Sequence, residues 1–498
     1  MSNPDTSDTS GTAGTAGTAG RAGKAAKAIP PDPASAHPAP ADTHHLGHAL
    51  KPRHMTMLAL GGAIGAGLFV GTGAGIHTAG PGILISYALA SVLVLLVMRM
   101  LGEMAAAVPR SGSFSEYAGA AFGRWAGFTV GWLYWWMVTI VLAVEASGAA
   151  AIAHGWVPGV PIWVFSLAIM LVFTGANLLT VRSFGETEFW FATVKVLAIV
   201  GFLVLGVLAI MGWLPDTDAP GLDNLTGNGG FLPNGWDGVI AGLLAVAFSF
   251  GGLEIVTIAA AESDDPTRNV ARAVRTAVWR ILLFYIGSVA VIATLLPWDS
   301  DRLGSPYVSV LEDIGIPGAA HVMDVVVFTA LLSALNSMLY GASRMAFSLS
   351  RRGEGPRGLS RLAGNGVPRT AVLASSAFGF LAALLNVWWP EQVFKHLLNS
   401  VGAMLLFVWF AIAAAQLVLR RRMEREDPER LIIRMWGFPY LTWFVMLALA
   451  AVSILMLFDA DARPQLLSSV VVVAVVLGFA LVREARRRDL RRRAEGRF

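Results

Sequence analysis

The sequence predicts an all-α polytopic membrane protein with twelve transmembrane helices. Three observations predict this class. Only 14% of the 498 residues are charged, whereas about a quarter of the residues are charged in a typical soluble domain. The mean hydropathy is +0.62. Apolar runs long enough to cross a hydrocarbon core, about 20 residues each, recur along nearly the whole chain.

Residues 1–50 differ in kind from the rest of the chain. Their segments "GTAGTAGTAG" and "PPDPASAHPAP" are rich in Ala, Gly, Pro and Thr and offer nothing to bury, which predicts a disordered cytoplasmic tail. The tail lacks the apolar core of a signal peptide, so the first span is expected to direct insertion. Three histidines could bind a metal ion, but a solvated tail is the simpler interpretation and no metal site is expected. They are His44, His45 and His48.

A hydropathy window of about 19 residues gives twelve candidate spans. The arginine-rich residues 486–498 follow the last span and are interpreted as a basic cytoplasmic tail. The spans cover approximately residues 55–77, 81–105, 124–153, 161–181, 187–212, 238–260, 274–296, 320–347, 368–389, 394–419, 439–458 and 464–482.

The basic residues of the loops predict the orientation of the spans. Arginines concentrate at 268–280, 351–369 and 420–434, which share one side with both tails when the spans alternate. Because loops rich in Lys and Arg stay in the cytoplasm, both termini are expected inside the cell. Membrane orientation thus explains the pI of about 9.5, and no nucleic-acid partner is expected. The opposite side carries few basic residues: Arg302, Lys395 and Arg463.

Two of the spans contain segments that favour a broken helix. The first span carries "GGAIGAGLFVGTGAG" (Gly61–Gly75), and the sixth carries "FSFGGLE" (Phe248–Glu254). Glycine weakens a helix by roughly 0.8–1 kcal/mol relative to alanine, and backbone groups freed inside a bilayer must line a cavity enclosed by protein. Close packing through small residues is the alternative for either segment alone. Because the two segments begin successive five-span units of opposite orientation, they indicate the binding site of a transporter.

Lys195 is one of five lysines in a chain that otherwise uses arginine, and it lies inside the fifth span. An ammonium at the bilayer centre costs at least about 2.5–3.5 kcal/mol. A buried lysine, unlike an arginine, can lose its proton, so Lys195 is a candidate proton carrier or a substitute for a sodium ion. The alternative is that Lys195 snorkels toward Glu188 and the cytoplasmic end of the helix, about 10 Å away.

Three carboxylates in the spans are further candidates. Glu254 directly follows the glycines of the sixth span and could exchange protons, recognise a substrate amine or hold the break together by accepting freed N–H groups. Glu145, deep in the third span, could face the cavity or pair with a polar group of the bundle. Glu103 lies near a cytoplasmic end, where a solvated or loop-paired carboxylate is expected and a functional role is secondary.

Several kinds of chemistry are missing from the sequence. It has no cysteine, which excludes disulfides, thiolate catalysis and cysteine-bound metal. It contains no GxxxxGK[ST] segment to cradle a nucleotide phosphate and no strand–nucleophile–helix signature. An enzyme is therefore not expected, and uphill transport would draw on an ion gradient. We expect no cofactor, with the proton as the coupling ion.

The chain resembles the amino acid transporter family of the amino acid–polyamine–organocation superfamily over residues 50–485. The stretches that carry the resemblance include "HMTMLALGGAIGAGLFVG", "AGPGILISYALAS", "FWFATVKVLAIV", "FSFGGLEIVTIAAAESDDP" and "NSMLYGASRMAFSLSRRGEGP". Within the family the chain is most similar to 4-aminobutyrate permeases, through "GWLYWWMV", "EIVTIAAAESD" and "IRMWGFPYLTW".

The resemblance implies a leucine-transporter-like fold for a permease domain at residues 51–485. Two inverted five-helix repeats are expected at about 55–212 and 238–419, with discontinuous helices 1 and 6. Two extra helices are expected to follow at about 439–482.

The resemblance also implies a role for each break. Amides of the first break would bind the substrate carboxylate, and carbonyls of the second break would bind the amine, with Phe248 or Phe250 as a gate. Lys195 would occupy a sodium position and take part in proton coupling. Ala66 stands where many relatives carry a hydroxyl residue, which removes one carboxylate donor. The implied binding residues are Ile64, Gly65, Ala66 and Gly67 for the carboxylate, and Phe248, Ser249 and Gly251 for the amine.

Together these features predict a secondary active transporter that imports an amino acid, with 4-aminobutyrate favoured, by proton symport and alternating access across a bacterial plasma membrane. The alternatives are a permease for another neutral, aromatic or basic amino acid, an exchanger, or a receptor that binds amino acids without moving them. The expected partners are the small-molecule substrate and the lipid bilayer. The sequence leaves the oligomeric state open.

Overall fold

The computed structural model describes residues 51–61, 64–179, 181–214, 219–260, 263, 265–460 and 462–494. The tail predicted over residues 1–50, with its three histidines, lies outside the described residues. So do the final residues 495–498 of the predicted basic tail.

The described part of the chain is all-helical and contains no β-strand. Residues Ile281–Gly287, between two α-helices, form a π-helical segment. The α-helices are α1 (Pro52–Gly61), α2 (Ala66–Phe69), α3 (Gly71–Ala79), α4 (Ile83–Ala107), α5 (Ser113–Phe122), α6 (Arg124–Trp156), α7 (Ile162–Asn177), α8 (Val181–Ile210), α9 (Asp223–Thr226), α10 (Gly235–Ser249), α11 (Ile255–Ala260), α12 (Pro266–Arg280), α13 (Ser288–Leu295), α14 (Pro306–Ile314), α15 (Ala319–Arg351), α16 (Arg369–Leu385), α17 (Pro390–Glu426), α18 (Tyr440–Leu455) and α19 (Ala462–Ala494).

Seven helical stretches of the described chain are long and apolar enough to cross a membrane, and three shorter apolar helices accompany them. The predicted spans coincide with helices of the structure, as at 124–153, which falls within α6. The first predicted span is divided among α1, α2 and α3, and the sixth is divided between α10 and α11. The total of twelve crossings stays a prediction.

The centre of the bundle is formed by α6 and α15, which pack against each other. In their most apolar 18-residue windows, 78% of α6 and 72% of α15 is buried. α6 is also in contact with α2, α5, α7, α16, α17 and α19. Because α6 is apolar on all sides, its composition is typical of a helix enclosed by others. The side chains that α6 and α15 carry at mid-length are therefore held firmly.

The last helix, α19, continues through the predicted basic tail to Ala494 and docks on the end of α15. The guanidinium of Arg483 donates to the carbonyls of Gly353 and Glu354, and Arg487 donates to that of Gly353 over 2.8 Å. One turn before Arg483, the ring of Phe479 stacks on Phe128 of α6 with centroids 5.8 Å apart. The arginines thus satisfy carbonyls of the turn that follows α15.

Candidate functional site

The first interruption lies between α1, which ends at Gly61, and α2, which begins at Ala66. Gly65 leaves the helical conformation, with φ −147° and ψ −143°. The carbonyl of Ile64 accepts a hydrogen bond from Nζ of Lys195 over 3.0 Å. Both residues have no exposed surface, so Lys195 does not snorkel toward the end of its helix. Its ammonium instead stabilises a carbonyl that the break leaves without a helical partner.

Glu145 binds the other side of the same interruption. The amide of Ala66 donates to both carboxylate oxygens of Glu145, each over 3.1 Å. The fit is tight, because a Cβ added at Gly65 would lie 2.5 Å from Oε1 of Glu145 and 2.6 Å from Cβ of Ala334. Of the two alternatives for Glu145, pairing in the bundle is what the structure has, and its partner is a backbone amide of the break. One peptide segment thus holds an ammonium at Ile64 and a carboxylate at Ala66.

The second interruption lies between α10, which ends at Ser249, and α11, which begins at Ile255. Gly252 has φ +93°, a conformation that glycine adopts without a steric cost. Its amide donates to Oε1 of Glu254 over 3.2 Å. Oε2 of Glu254 is buried and has no hydrogen-bond partner among the described residues. Glu254 therefore holds the break together with one oxygen, and the hydroxyl of the buried Tyr134 on α6 lies near its carboxylate.

Ser249 connects the two interruptions. Its Oγ donates to the carbonyl of Gly67 over 2.6 Å, and both residues are buried. Phe250, the next residue, has no exposed surface and stacks on Tyr285 with centroids 4.8 Å apart. It also meets the ring of Tyr87 edge-on at 6.1 Å. The side chain of Phe248, the other gate candidate, lies outside the described part of the structure.

Sequence reasoning treated Glu188 only as the direction in which Lys195 could snorkel and missed it as a second buried carboxylate near Lys195. Glu188, only 1% exposed, accepts from Oγ of Ser333 on α15 over 2.7 Å. Nearby, Nδ2 of Asn177 on α7 donates to Oδ1 of Asn336 on α15 over 2.8 Å. The signal for Glu188 was present, because residues seven apart share a face of a helix. Glu188 and Lys195 have this spacing. Snorkelling would require an exposed carboxylate at the helix end, whereas Glu188 is buried.

Glu103 lies in a different polar cluster, made without residues of either interruption. Its carboxylate is fully buried and accepts from Nε2 of Gln416 over 2.8 Å, from the guanidinium of Arg420 and from the amide of Met435. The carboxylate is therefore not solvated, although it is paired with the loop after α17. Oε1 of Gln416 accepts in turn from Thr442 of α18 over 2.9 Å. This cluster fastens α17 and α18 to α4.

A cavity of about 320 Å³ opens beside the first interruption, between α2, α6, α14 and α15. Phe69, at the end of α2, lines it and touches the ring of Tyr307 at 4.9 Å between centroids. The walls are mostly apolar, and Asp324 contributes an acidic side chain. A volume of this size lies within the range of small-molecule sites. In the described residues, no group of three or more His, Cys, Asp or Glu could hold a metal ion.

A protein-family model described as "Amino acid permease" matches residues 54–483. The chain is 48% identical over 429 residues to the gamma-aminobutyric acid permease of Bacillus subtilis (strain 168), covering 86% of this chain and 92% of the relative. It is 47% identical over 428 residues to the gamma-aminobutyric acid permease of Escherichia coli (strain K12), with coverage of 86% and 92%. It is 48% identical over 442 residues to the aromatic amino acid transport protein AroP of Corynebacterium glutamicum, with coverage of 88% and 94%.

Among solved structures, the chain is similar to the crystal structure of a mutant manganese transporter of Eremococcus coleocola. The TM-score is 0.54 at 15% sequence identity, and the match covers 88% of this chain and 95% of that chain. At this identity the likeness concerns the fold alone.

Proposed function

Because the chain belongs to the amino acid permease family, we propose that it imports an amino acid by proton symport, with alternating access to a site at the two interruptions. It is a multi-pass membrane protein whose close relatives are permeases. The observation that carries the proposal is the hydrogen bond between Ser249 and Gly67, which brings the two broken helices together around buried charges.

The proposed architecture is the leucine-transporter-like one. Residues 51–485 form the permease domain, with twelve crossings and both termini in the cytoplasm of a bacterial cell. Inverted repeats occupy about 55–212 and 238–419, and extra helices occupy about 439–482. The division of α1 from α2 and of α10 from α11 supports this, because the broken helices stand at corresponding positions of the two halves.

The proposed substrate is a zwitterion that binds in place of internal charges. Its carboxylate accepts the hydrogen bond of the Ala66 amide, which in this structure is donated to Glu145. Its amine meets the carbonyls of the second interruption at Phe248, Ser249 and Gly251. Free amides of a broken helix favour an anion, and free carbonyls favour a cation. Ile64, Gly65 and Gly67 complete the backbone that surrounds the carboxylate.

Displacement of Glu145 explains how a proton could be coupled to the substrate. A buried carboxylate that loses its hydrogen-bond donor is costly, so the displaced Glu145 would take up a proton. Lys195, held on the carbonyl of Ile64 two residues away, responds to the charge of Glu145 and can pass its own proton on when the helix moves. Glu254, a buried carboxylate beside the hydroxyl of Tyr134, is a further proton acceptor. For the proton to drive transport, the two states of the alternating-access cycle must bind it with different affinities.

The favoured substrate is 4-aminobutyrate, because two of the similar relatives are named gamma-aminobutyric acid permeases. A second candidate is an aromatic amino acid, since a relative of equal identity is named an aromatic amino acid transport protein. Competition by both classes against labelled 4-aminobutyrate separates the two candidates. Uptake of labelled phenylalanine that excess 4-aminobutyrate does not inhibit, together with no uptake of labelled 4-aminobutyrate, would reverse the assignment.

Transport and coupling are tested in proteoliposomes with the purified chain. We expect labelled 4-aminobutyrate to accumulate when the outside is acidic and the accumulation to collapse with the proton gradient. Counterflow separates a carrier from a receptor, which would bind label without accumulating it. The variant Lys195→Arg should bind substrate but lose gradient-driven accumulation, because arginine does not release a proton. Lys395→Arg is the matched control, and normal gradient dependence of Lys195→Arg would reject the role of Lys195.

A further inference from the structure

A second concave surface lies between α4, α12 and the segment that follows α17. Its volume is about 790 Å³, and no residue of either interruption lines it. Arginine is the only charged residue type among its described lining residues, and the rest of the wall is apolar. We call this surface the arginine groove; its basic members are Arg99, Arg268, Arg272 and Arg275.

Three of these arginines form a stripe along α12. Arg268, Arg272 and Arg275 follow one another at spacings of four and three residues, which places them on one face of the helix. None of the three forms an ion pair with a carboxylate in the described structure; Asp265 accepts from the backbone amide of Arg268 instead. Their charges are therefore unneutralised by the residues that the structure describes. Such a stripe attracts an anion.

The same face of α12 runs on into apolar side chains. Trp279 lies four residues after Arg275, about 6 Å along the helix, and is 70% exposed. Leu282 and Leu283 follow at 48% and 50% exposure. Tryptophan concentrates where headgroups meet hydrocarbon, which favours headgroup depth for the arginines and acyl-chain depth for the leucines.

The opposite wall of the groove also combines exposed apolar side chains with an arginine. Ile432 and Trp436 are 66% and 55% exposed. The guanidinium of Arg99 lies over the Trp436 ring, 4.7 Å from its centroid, and donates to the carbonyl of Arg434 over 2.9 Å. A ligand in the groove thus meets guanidinium groups on α4 and α12 together with a broad apolar surface.

We propose that the arginine groove binds an anionic phospholipid, with its phosphate on the α12 arginines and an acyl chain along Trp279 and the leucines. Guanidinium groups match phosphate geometry through paired N–H donors, and basic pockets at the membrane surface select anionic headgroups. α12 begins at Pro266, six residues after α11 ends at Ala260. A lipid bound here would steady the helix that leads away from the second interruption.

The experiment measures thermal unfolding of the purified full-length chain in detergent with added lipid. Phosphatidylglycerol should raise the midpoint by about 3 °C or more, whereas phosphatidylcholine should have little effect. Native mass spectrometry should show phosphatidylglycerol retained on the protein. In the triple variant R268Q/R272Q/R275Q the shift and the retained lipid should disappear. The control is R361Q/R421Q/R425Q, which removes the same charge from exposed arginines outside the groove and should behave like the native chain.

The outcomes separate the possible occupants. An equal shift with phosphatidylcholine, or an unchanged shift in the R268Q/R272Q/R275Q variant, would overturn the proposal. A shift reproduced by inorganic phosphate at the same concentration would assign the groove to a free anion and also overturn it. Should the triple variant fail to fold, R268K/R272K/R275K replaces it, because lysine keeps the charge but lacks the planar guanidinium with its paired N–H donors. It should retain less phosphatidylglycerol than the native chain, and undiminished retention would again reject the site.

Discussion

Ser249 and Gly67 belong to different broken helices, yet the hydroxyl of the first lies 2.6 Å from the carbonyl of the second. Among the residues that the structure describes, this hydrogen bond joins α10 directly to α2. A motion that opens the site between the two helices has to break it. Its net strength, typically about 0.5–1.5 kcal/mol, is small enough for thermal opening.

Replacing Ser249 by alanine should therefore favour opening and weaken substrate binding. The carbonyl of Gly67 would lose its donor in a buried place, which costs about 1–3 kcal/mol. We expect KM for 4-aminobutyrate to rise roughly tenfold in uptake assays. Ser376→Ala is the control, because Ser376 is also buried but donates within its own helix, to the carbonyl of Leu373. Equal KM values for the Ser249 variant and the native chain would show that the contact is dispensable.

Glu145→Gln should raise affinity for the substrate and reduce its dependence on pH. Glutamine keeps the size of the side chain but brings no negative charge to the amide of Ala66, so it competes less with a substrate carboxylate. In binding assays at several pH values, the native chain should bind more tightly as the pH falls, and the variant should change little. Glu312→Gln, which alters an exposed carboxylate, is the control. A variant with the native pH profile would contradict displacement of Glu145.

Glu103→Gln tests whether the second cluster is structural. Loss of the buried carboxylate removes one partner each from Gln416, Arg420 and the amide of Met435. Because Arg420 keeps its ion pair with Glu424, the cost should stay below the about 3–5 kcal/mol of a buried pair whose remaining charge has no partner. We expect a lower unfolding midpoint but an unchanged dependence of uptake on the proton gradient, per folded molecule. Pairing Glu103→Gln with Arg420→Met should recover part of the stability, because the two residues form one unit. A loss of gradient dependence with normal stability would instead make Glu103 a coupling residue.

Glu354, beyond the end of α15, should give a measurable dependence of stability on pH. Burial raises the pKa of its carboxyl above the ordinary 4.5, although Arg352 and Arg124 oppose the shift. The folded chain then holds this proton more tightly than the unfolded chain. The contribution of Glu354 to the free energy of unfolding is therefore complete below pH 4.5 and is lost as the pH rises through the raised pKa of the folded chain.

In thermal unfolding across that range, Glu354→Gln should show a flatter decline than the native chain. Glu312→Gln, near the opposite end of α15, serves as the control. A parallel decline of the Glu354 variant and the native chain would refute the assignment of this pH dependence to Glu354.

The interruptions could be foreseen because glycine acts locally. The glycines at 61–67 and 251–252 weaken a helix whatever surrounds them, and the helices end at Gly61 and Ser249. Lys195 was also visible, as a lone lysine in an apolar span. The partner of Lys195 could not be predicted, because every residue has a backbone carbonyl and nothing in the sequence distinguishes that of Ile64.

Partners far apart in the chain could not be foreseen at all. The amide of Ala66 and the carboxylate of Glu145 are 79 residues apart, and Glu103 is 317 residues from Arg420. The crossing of the helices decides which distant residues contact each other. The periodicity of a single sequence shows which face of a helix is buried but not which helix that face contacts. Glu103 shows the consequence: its place near a helix end predicted a solvated or loop-paired carboxylate, and the structure has the loop pairing but encloses the side chain with α17 and α18.

The docking of α19 has a practical consequence for work with shortened or tagged chains. Arg483 and Arg487 contact the turn after α15, and Phe479 contacts α6. Removal of the final helix would therefore uncover the carbonyls of that turn and the ring of Phe128. A chain cut before Phe479 loses all three contacts. Fusions are better placed after residue 498 through a flexible linker, which leaves the arginines of α19 seated.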